Sequence, residues 1–187
     1  MGALLQWIAD RWTGRKSKRA LDREIELKVQ MANARRAQVL ADPKLSPLER
    51  MIEGWGVGTA QGASDNDLYG LEEKYAVRLP EDFRAYLKAA PNGNDWDHVG
   101  TNWWPLSQIK TVRQECADLK DYVPLGGGDK QLIFADYLMW CCAWAVDCSE
   151  TENRGRVIFL GEGDSYVADS FDDFLDRYLR DNNSIFA

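Results

Sequence analysis

The chain has 187 residues and a mass of 21.3 kDa, which fits one main domain with an appendage. At 45% hydrophobic and 28% charged residues it is too apolar to be wholly disordered, and no run approaches the ~20 apolar residues of a membrane-spanning helix. A net charge of −7 and a pI of about 4.8 exclude a generic nucleic-acid binder.

The charge is uneven. Residues 1–40 hold nine Lys/Arg against four Asp/Glu, a net of +5; residues 60–187 hold twelve against twenty-three, a net of −11. A basic arm therefore precedes an acidic body, and an acidic body attracts basic partners.

In chain order, Leu4, Leu5, Trp7, Ile8 and Trp12 recur at near-helical spacing. Thr13-Gly14 interrupts this stripe, and the basic run Arg15-Lys16-Ser17-Lys18-Arg19 follows. Residues 20–40 lack Gly and Pro and are rich in helix formers, which predicts a helix. Asp42-Pro43 and Ser46-Pro47 break the chain. Four glycines from Gly54 to Gly62 predict a linker. The expected division is a helical, basic extension with its linker over residues 1–60 and a folded domain over 61–187.

From there the signals sharpen. Ser64 or Asp65 can cap a helix bearing Leu68, Leu71 and Tyr75 on one face. Leu79-Pro80 opens a second helix with Glu81 and Asp82 in its first turn and Phe83, Tyr86 and Leu87 as its apolar stripe. Pro91-Asn92-Gly93 ends it, and residues 94–104 read as a polar, tryptophan-bearing loop. A helix is expected around 107–118, then a glycine turn at 126–128. Strands are expected over Gln131–Tyr137, Met139–Asp147, Arg156–Leu160 and Ser165–Ala168. In the second, Trp140, Cys142, Trp144 and Val146 alternate with smaller residues, which predicts a central strand with Trp140 and Trp144 in the core. Ser170 with Asp173 opens a last helix whose Phe171, Phe174, Leu175, Tyr178 and Leu179 form a clear stripe. Helices, antiparallel strands and a closing helix make an α+β class: a mainly antiparallel sheet packed by helices, with a helical N-terminal extension.

In its order of residues the chain resembles the SUKH superfamily, in its Smi/Knr-type branch of fungal cell-wall regulators and bacterial immunity proteins. The matching pieces are Leu71-Glu72-Glu73-Lys74-Tyr75, Leu79-Pro80-Glu81-Asp82-Phe83, Asn92-Gly93, Trp104-Pro105-Leu106, Ile133-Phe134-Ala135-Asp136-Tyr137, Gly155-Arg156-Val157, and Ala168-Asp169-Ser170-Phe171-Asp172-Asp173-Phe174-Leu175. They span roughly 65–180; residues 1–60 match nothing in the family. The resemblance implies a binding protein rather than an enzyme: an immunity protein that neutralises a cognate toxin by direct contact. Because the family uses one scaffold against many toxins, no contact residue carries over.

The residues themselves offer little for catalysis. His98 is the lone histidine, and no Gly-x-Ser-x-Gly elbow is present. Cys116, Cys141, Cys142 and Cys148 contain no Cys-x-x-Cys, so free core thiols are expected, with no metal and no cofactor. Gly126-Gly127-Gly128-Asp129-Lys130 lacks the ending of a phosphate loop and reads as a turn. No secretory leader is read, and a cytoplasmic location is expected.

The acidic pairs Asp95 with Asp97 and Glu162 with Asp164 are expected in exposed loops, as a solvated surface or as contacts for Lys and Arg of a partner. Trp96, Trp103 and Trp104 are either interface anchors or lids on the core; Trp104 fits the family's recurring position, and Trp96 is the one expected at the surface. The candidate partner-binding set is Asp95, Trp96, Asp97, Trp103, Asp136, Glu162 and Asp164. The expected partner is a toxin protein, of which a basic nuclease is one form, and no nucleic acid. The alternative is a regulatory scaffold, peripheral to the membrane through residues 1–19; a helix that packs on the body or mediates oligomerisation is the favoured reading over membrane contact.

Overall fold

The computed structural model describes residues 2–55, 62–89, 95–97, 99–119, 122–180 and 182–186, and only the backbone of 2–17, 19, 55, 95 and 182. Most of the Gly54–Gly62 linker, the Pro91-Asn92-Gly93 turn and His98 lie outside the described residues.

The N-terminal segment is one helix, α1 (Gly2–Ala41), which runs straight through Thr13-Gly14. A glycine in a helix interior costs only about 1 kcal/mol against alanine, and without a proline the good helix formers on either side carry the helix across it. After the Asp42-Pro43 break, α2 (Pro47–Trp55) follows. The Glu49 carboxylate accepts from Ser46 N at 2.7 Å, while the Ser46 hydroxyl accepts from Glu49 N at 3.2 Å, so the helix start is capped both ways. α2 packs against the last helix through buried Met51 and through Arg50, whose Nη1 lies 2.6 Å from Asp176 Oδ1.

α3 (Asp65–Tyr75) is capped by Ser64, one of the two expected caps, in a full capping box: the Ser64 hydroxyl accepts from Asp67 N and the Asp67 carboxylate from Ser64 N. Leu68, Leu71 and Tyr75 are buried. α4 (Glu81–Ala89) begins one residue after Pro80, whose carbonyl accepts from Arg84 N at 2.8 Å. Phe83, Tyr86 and Leu87 turn inward as predicted.

The segment read as a loop contains two short strands, β1 (Asp95–Trp96) and β2 (Thr101–Trp103), paired with each other. The helix expected around 107–118 shrinks to β3 (Lys110–Thr111) and a single turn, α5 (Val112–Glu115). Thr111 decides this locally, because its hydroxyl accepts from Gln114 N at 3.2 Å and caps the turn. Then come β4 (Gln131–Tyr137), β5 (Cys142–Asp147), β6 (Val157–Leu160), β7 (Ser165–Ala168) and α6 (Phe171–Arg180).

The seven strands form one sheet in the order β1-β2-β4-β5-β6-β7, antiparallel throughout, with β3 also on β4. A bulge between Ile133 and Ala135 divides the edge of β4 between β2 and β3, and the Phe134 carbonyl there accepts from Trp104 N at 2.8 Å. On one face, α4 and α6 cover an aromatic core of Phe83, Tyr86, Trp103, Phe134, Trp144, Phe171, Phe174 and Tyr178. Burial of each such ring contributes about 1.5–3 kcal/mol.

Strand β5 starts three residues later than predicted. Residues 138–141 are a turn, and Trp140 is exposed rather than core. The alternation that places Trp144 correctly extends by chance to Trp140, and no Gly, Pro or Asn marks the turn.

Candidate functional site

The three tryptophan-bearing segments meet at one end of the sheet, on the face away from α6. Register places Trp96 opposite Asn102 and Asn102 opposite Asp136, so the three form a row across β1, β2 and β4. Trp104, just past β2, and the β4–β5 turn close over this row. Together with Lys74 of α3 and the 107–115 segment they enclose a cleft of about 660 Å³.

Asp136 organises the cleft from below. It is only 3% exposed. Its Oδ2 accepts from Trp104 Nε1 at 2.6 Å and from Asn102 Nδ2 at 2.8 Å, and its Oδ1 accepts from Trp140 N at 3.2 Å. One carboxylate thus fixes the Trp104 ring and the backbone that carries Trp140. Trp104 and Trp140 meet edge to face with centroids 6.0 Å apart, and the Lys110 ammonium stands 5.7 Å over the Trp104 ring while paired with Glu115.

The β4–β5 turn is strained. Leu138, Met139 and Trp140 have φ of 44°, 56° and 72°, three successive left-handed residues without a glycine. Each costs about 1–2 kcal/mol. The turn is held by Leu138 N on the Gly100 carbonyl at 3.1 Å and Cys141 N on the Tyr137 carbonyl at 2.9 Å. Gly100 itself has φ 99°, and a Cβ there would stand 2.9 Å from the Leu138 side chain. This backbone presents Met139 (84% exposed) and Trp140 (39%) beside Trp96 (50%). Strain of this kind concentrates at binding and switching sites.

The seven residues expected at a partner surface are placed differently from one another. Trp96 and Asp136 line the cleft. Trp103 is buried on the opposite face against Phe174 and Tyr178. Asp97, expected on an exposed loop, is half-buried: its Oδ1 accepts from the backbone N–H of Val99, Gly100 and Thr101 at 2.9–3.0 Å, and its Oδ2 from Trp103 Nε1 at 2.9 Å and from the Tyr178 hydroxyl. It ties the β1–β2 turn to α6. Burial pushes the Tyr178 hydroxyl far above its ordinary pKa, and the Asp97 charge adds to the rise. Asp164, also expected to be exposed, is half-buried under Tyr122, whose hydroxyl donates to it at 2.6 Å. Glu162 is exposed on the β6–β7 connection, separated from the cleft by β5 and β6. Asp95 falls in β1, and its side chain lies outside the described residues.

Lys74, Asn102, Trp104, Met139 and Trp140 of the cleft were not in the expected set. Trp140 is expected in the core and lies at the surface, whereas Trp104, expected as an anchor or a lid on the core, is buried and lines the cleft. The thiols divide: Cys142 and Cys148 are buried, Cys116 is half-buried, and Cys141 is exposed on the strained turn. The three glycines 126–128 all have positive φ in the turn before β4.

A family model described as the SMI1 / KNR4 family (SUKH-1) matches residues 62–177. The chain belongs to this family. The match covers every element from α3 to the body of α6, including the cleft, and leaves α1 and α2 outside. The SUKH-1 fold seen here, helices on one face of a mainly antiparallel sheet, is the one its sequence implies. A comparison with curated proteins found no match. Among the described residues, no helix is long and apolar enough to cross a membrane.

Proposed function

We propose that this SUKH-1 protein is an immunity protein that binds a cognate toxin in the cytoplasm and silences it by covering its active site or substrate groove, with no chemistry of its own. The observation that carries this reading is the rigid, strained presentation of Met139 and Trp140 beside Trp96, around a cleft floored by Asp136. Contiguous apolar side chains held at the surface mark protein contacts, and tryptophans are their commonest anchors. The net charge of −11 over residues 60–187 favours a basic partner and speeds encounter with it, and a nuclease with a cationic groove fits. Of the residues expected at the surface, Trp96 and Asp136 act in the cleft and Glu162 steers from outside it. We place the working boundary at 60/61, with residues 1–60 as an accessory arm fastened to the domain by α2. Co-expression with the toxin encoded beside it tests the proposal. Cells survive with the intact chain, and equal killing with and without it would end the idea for that toxin.

A second reading has one observation of its own. Leu21, Ile25 and Val29 of α1 lie at i, i+4 and i+8, all exposed. A scaffold that recruits several partners could use this stripe. Affinity capture separates the two: one stoichiometric partner for the immunity protein, several cellular ones for the scaffold.

A further inference from the structure

We propose that the cleft is a guanidinium site, which receives an arginine side chain of the protein partner. This deepens the binding reading above and rests on it for the partner, though not for the site.

The argument begins with a charge. Asp136 is buried, and its three donors are an indole N–H, an amide N–H and a backbone N–H. None is a cation, and no ion pair forms on Asp136 among the described residues. A buried carboxylate satisfied only by dipoles still favours a cation beside it. Next to it, Asn102 spends its Nδ2 on Asp136, and its Oδ1 is buried with no donor among the described residues. An unpaired buried acceptor costs about 1–3 kcal/mol. The cleft therefore sets one unpaired acceptor, the Asn102 amide oxygen, beside a carboxylate that no cation neutralises, in register on β2 and β4.

The walls decide which donor fits. Trp96, Trp104 and Trp140 line the cleft, and indole faces attract cations. The Lys110 ammonium already stands over Trp104, but Glu115 neutralises it. Lys74 stands over the ring of its neighbour Tyr75 at 4.7 Å, exposed to solvent that screens it. A guanidinium suits the remaining space better than an ammonium. It is planar, stacks on indole, sheds water readily and carries five N–H donors in a fixed fork that can reach two acceptors at once.

The test uses the full chain and N-acetyl-arginine methylamide as the probe, followed by tryptophan fluorescence and calorimetry. The arginine probe binds at millimolar concentration, and its neutral isostere, the citrulline analogue, binds at least about tenfold more weakly. The lysine analogue falls between them. Trp140→Ala, at a residue exposed on a turn, abolishes arginine binding while leaving the urea midpoint near that of the native chain. Equal binding of arginine and citrulline, stronger binding of lysine, no binding of any probe, or an unaltered response of Trp140→Ala overturns the site. The two proposals fail separately. If arginine binds but no toxin complex forms, the immunity reading falls and the site stands. If a toxin complex forms yet tolerates every arginine of the toxin being changed to alanine, the arginine anchor falls and the immunity reading stands.

Discussion

Asp97 and Met139 are opposites at the scale of single residues. Asp97 looks like a surface acid in the sequence because its segment is polar and turn-rich, with Asn94, Asp95, His98 and Gly100 close by. Its five donors come from three successive backbone amides, Trp103 and Tyr178, a convergence that only the fold creates. Asp97→Ala strands several half-buried donors at once, so it destabilises the chain by about 2–4 kcal/mol, read from the urea midpoint. A change below 0.5 kcal/mol would remove Asp97 from that role. Met139 does the reverse: it holds little and is held in strain. At φ 56° and 84% exposure it loses almost no packing when truncated. Met139→Gly relieves the left-handed backbone and raises stability by about 1 kcal/mol while weakening partner binding. A destabilised Met139→Gly would mean that the turn is not strained at rest. Sequence alone could not distinguish these two roles, because that of Met139 depends on a positive φ and that of Asp97 on Tyr178, far away in the chain.

Whole elements were legible where local chemistry and burial agree. α3, α4 and α6 each combine a start signal with an apolar stripe at helical spacing, and β4 to β7 are mostly apolar runs bounded by turn residues everywhere except at the β4–β5 turn. The last helix departs from expectation only in its cap. Ser170 accepts from Asp173 N at 3.0 Å, but the Asp173 carboxylate turns to Asp169 N at 3.0 Å instead of completing the box. The short elements were not legible. β1, β2 and β3 have two or three residues each; β2 and β3 share the bulged edge of β4 and β1 pairs on β2, which no local pattern announces. The cleft is built from those elements, so the rows that matter most were the hardest to read. Between α3 and α4 the packing also carries a pH signal. Burial works to raise the Glu72 carboxyl, but Arg84 Nη2 at 2.6 Å and Leu79 N at 2.8 Å outweigh it and hold the group below its ordinary value. A depressed carboxyl contributes stability above the unfolded-state pKa and loses it as pH falls through the folded-state pKa. Glu72→Gln is therefore less stable than the native chain at neutral pH. The deficit closes as pH is lowered through about 4 and below. A deficit that stays constant in urea melts across that range would show that the ion pair is not its source.

At the scale of the molecule, the charge asymmetry is plain in the sequence and its use is not. The domain carries the negative charge, while the basic arm is itself a long helix, α1, whose last turns reach the domain. Arg36 marks that contact: burial lowers its pKa against the opposing pull of Asp97 and Tyr178. The arm is thus joined to the same hinge of side chains that orders the β1–β2 turn beside the cleft. Charge would set how fast a basic partner arrives, and the tryptophan cleft how long it stays. The central claim, that this molecule works by holding another protein at that cleft, is tested most directly by calorimetric titration of the neighbouring toxin with the native chain and with a Met139→Ala, Trp140→Ala double variant. The native chain should form a 1:1 complex, and the double variant, still folded by circular dichroism, should bind at least about a hundredfold more weakly. A double variant that binds as tightly as the native chain would contradict it.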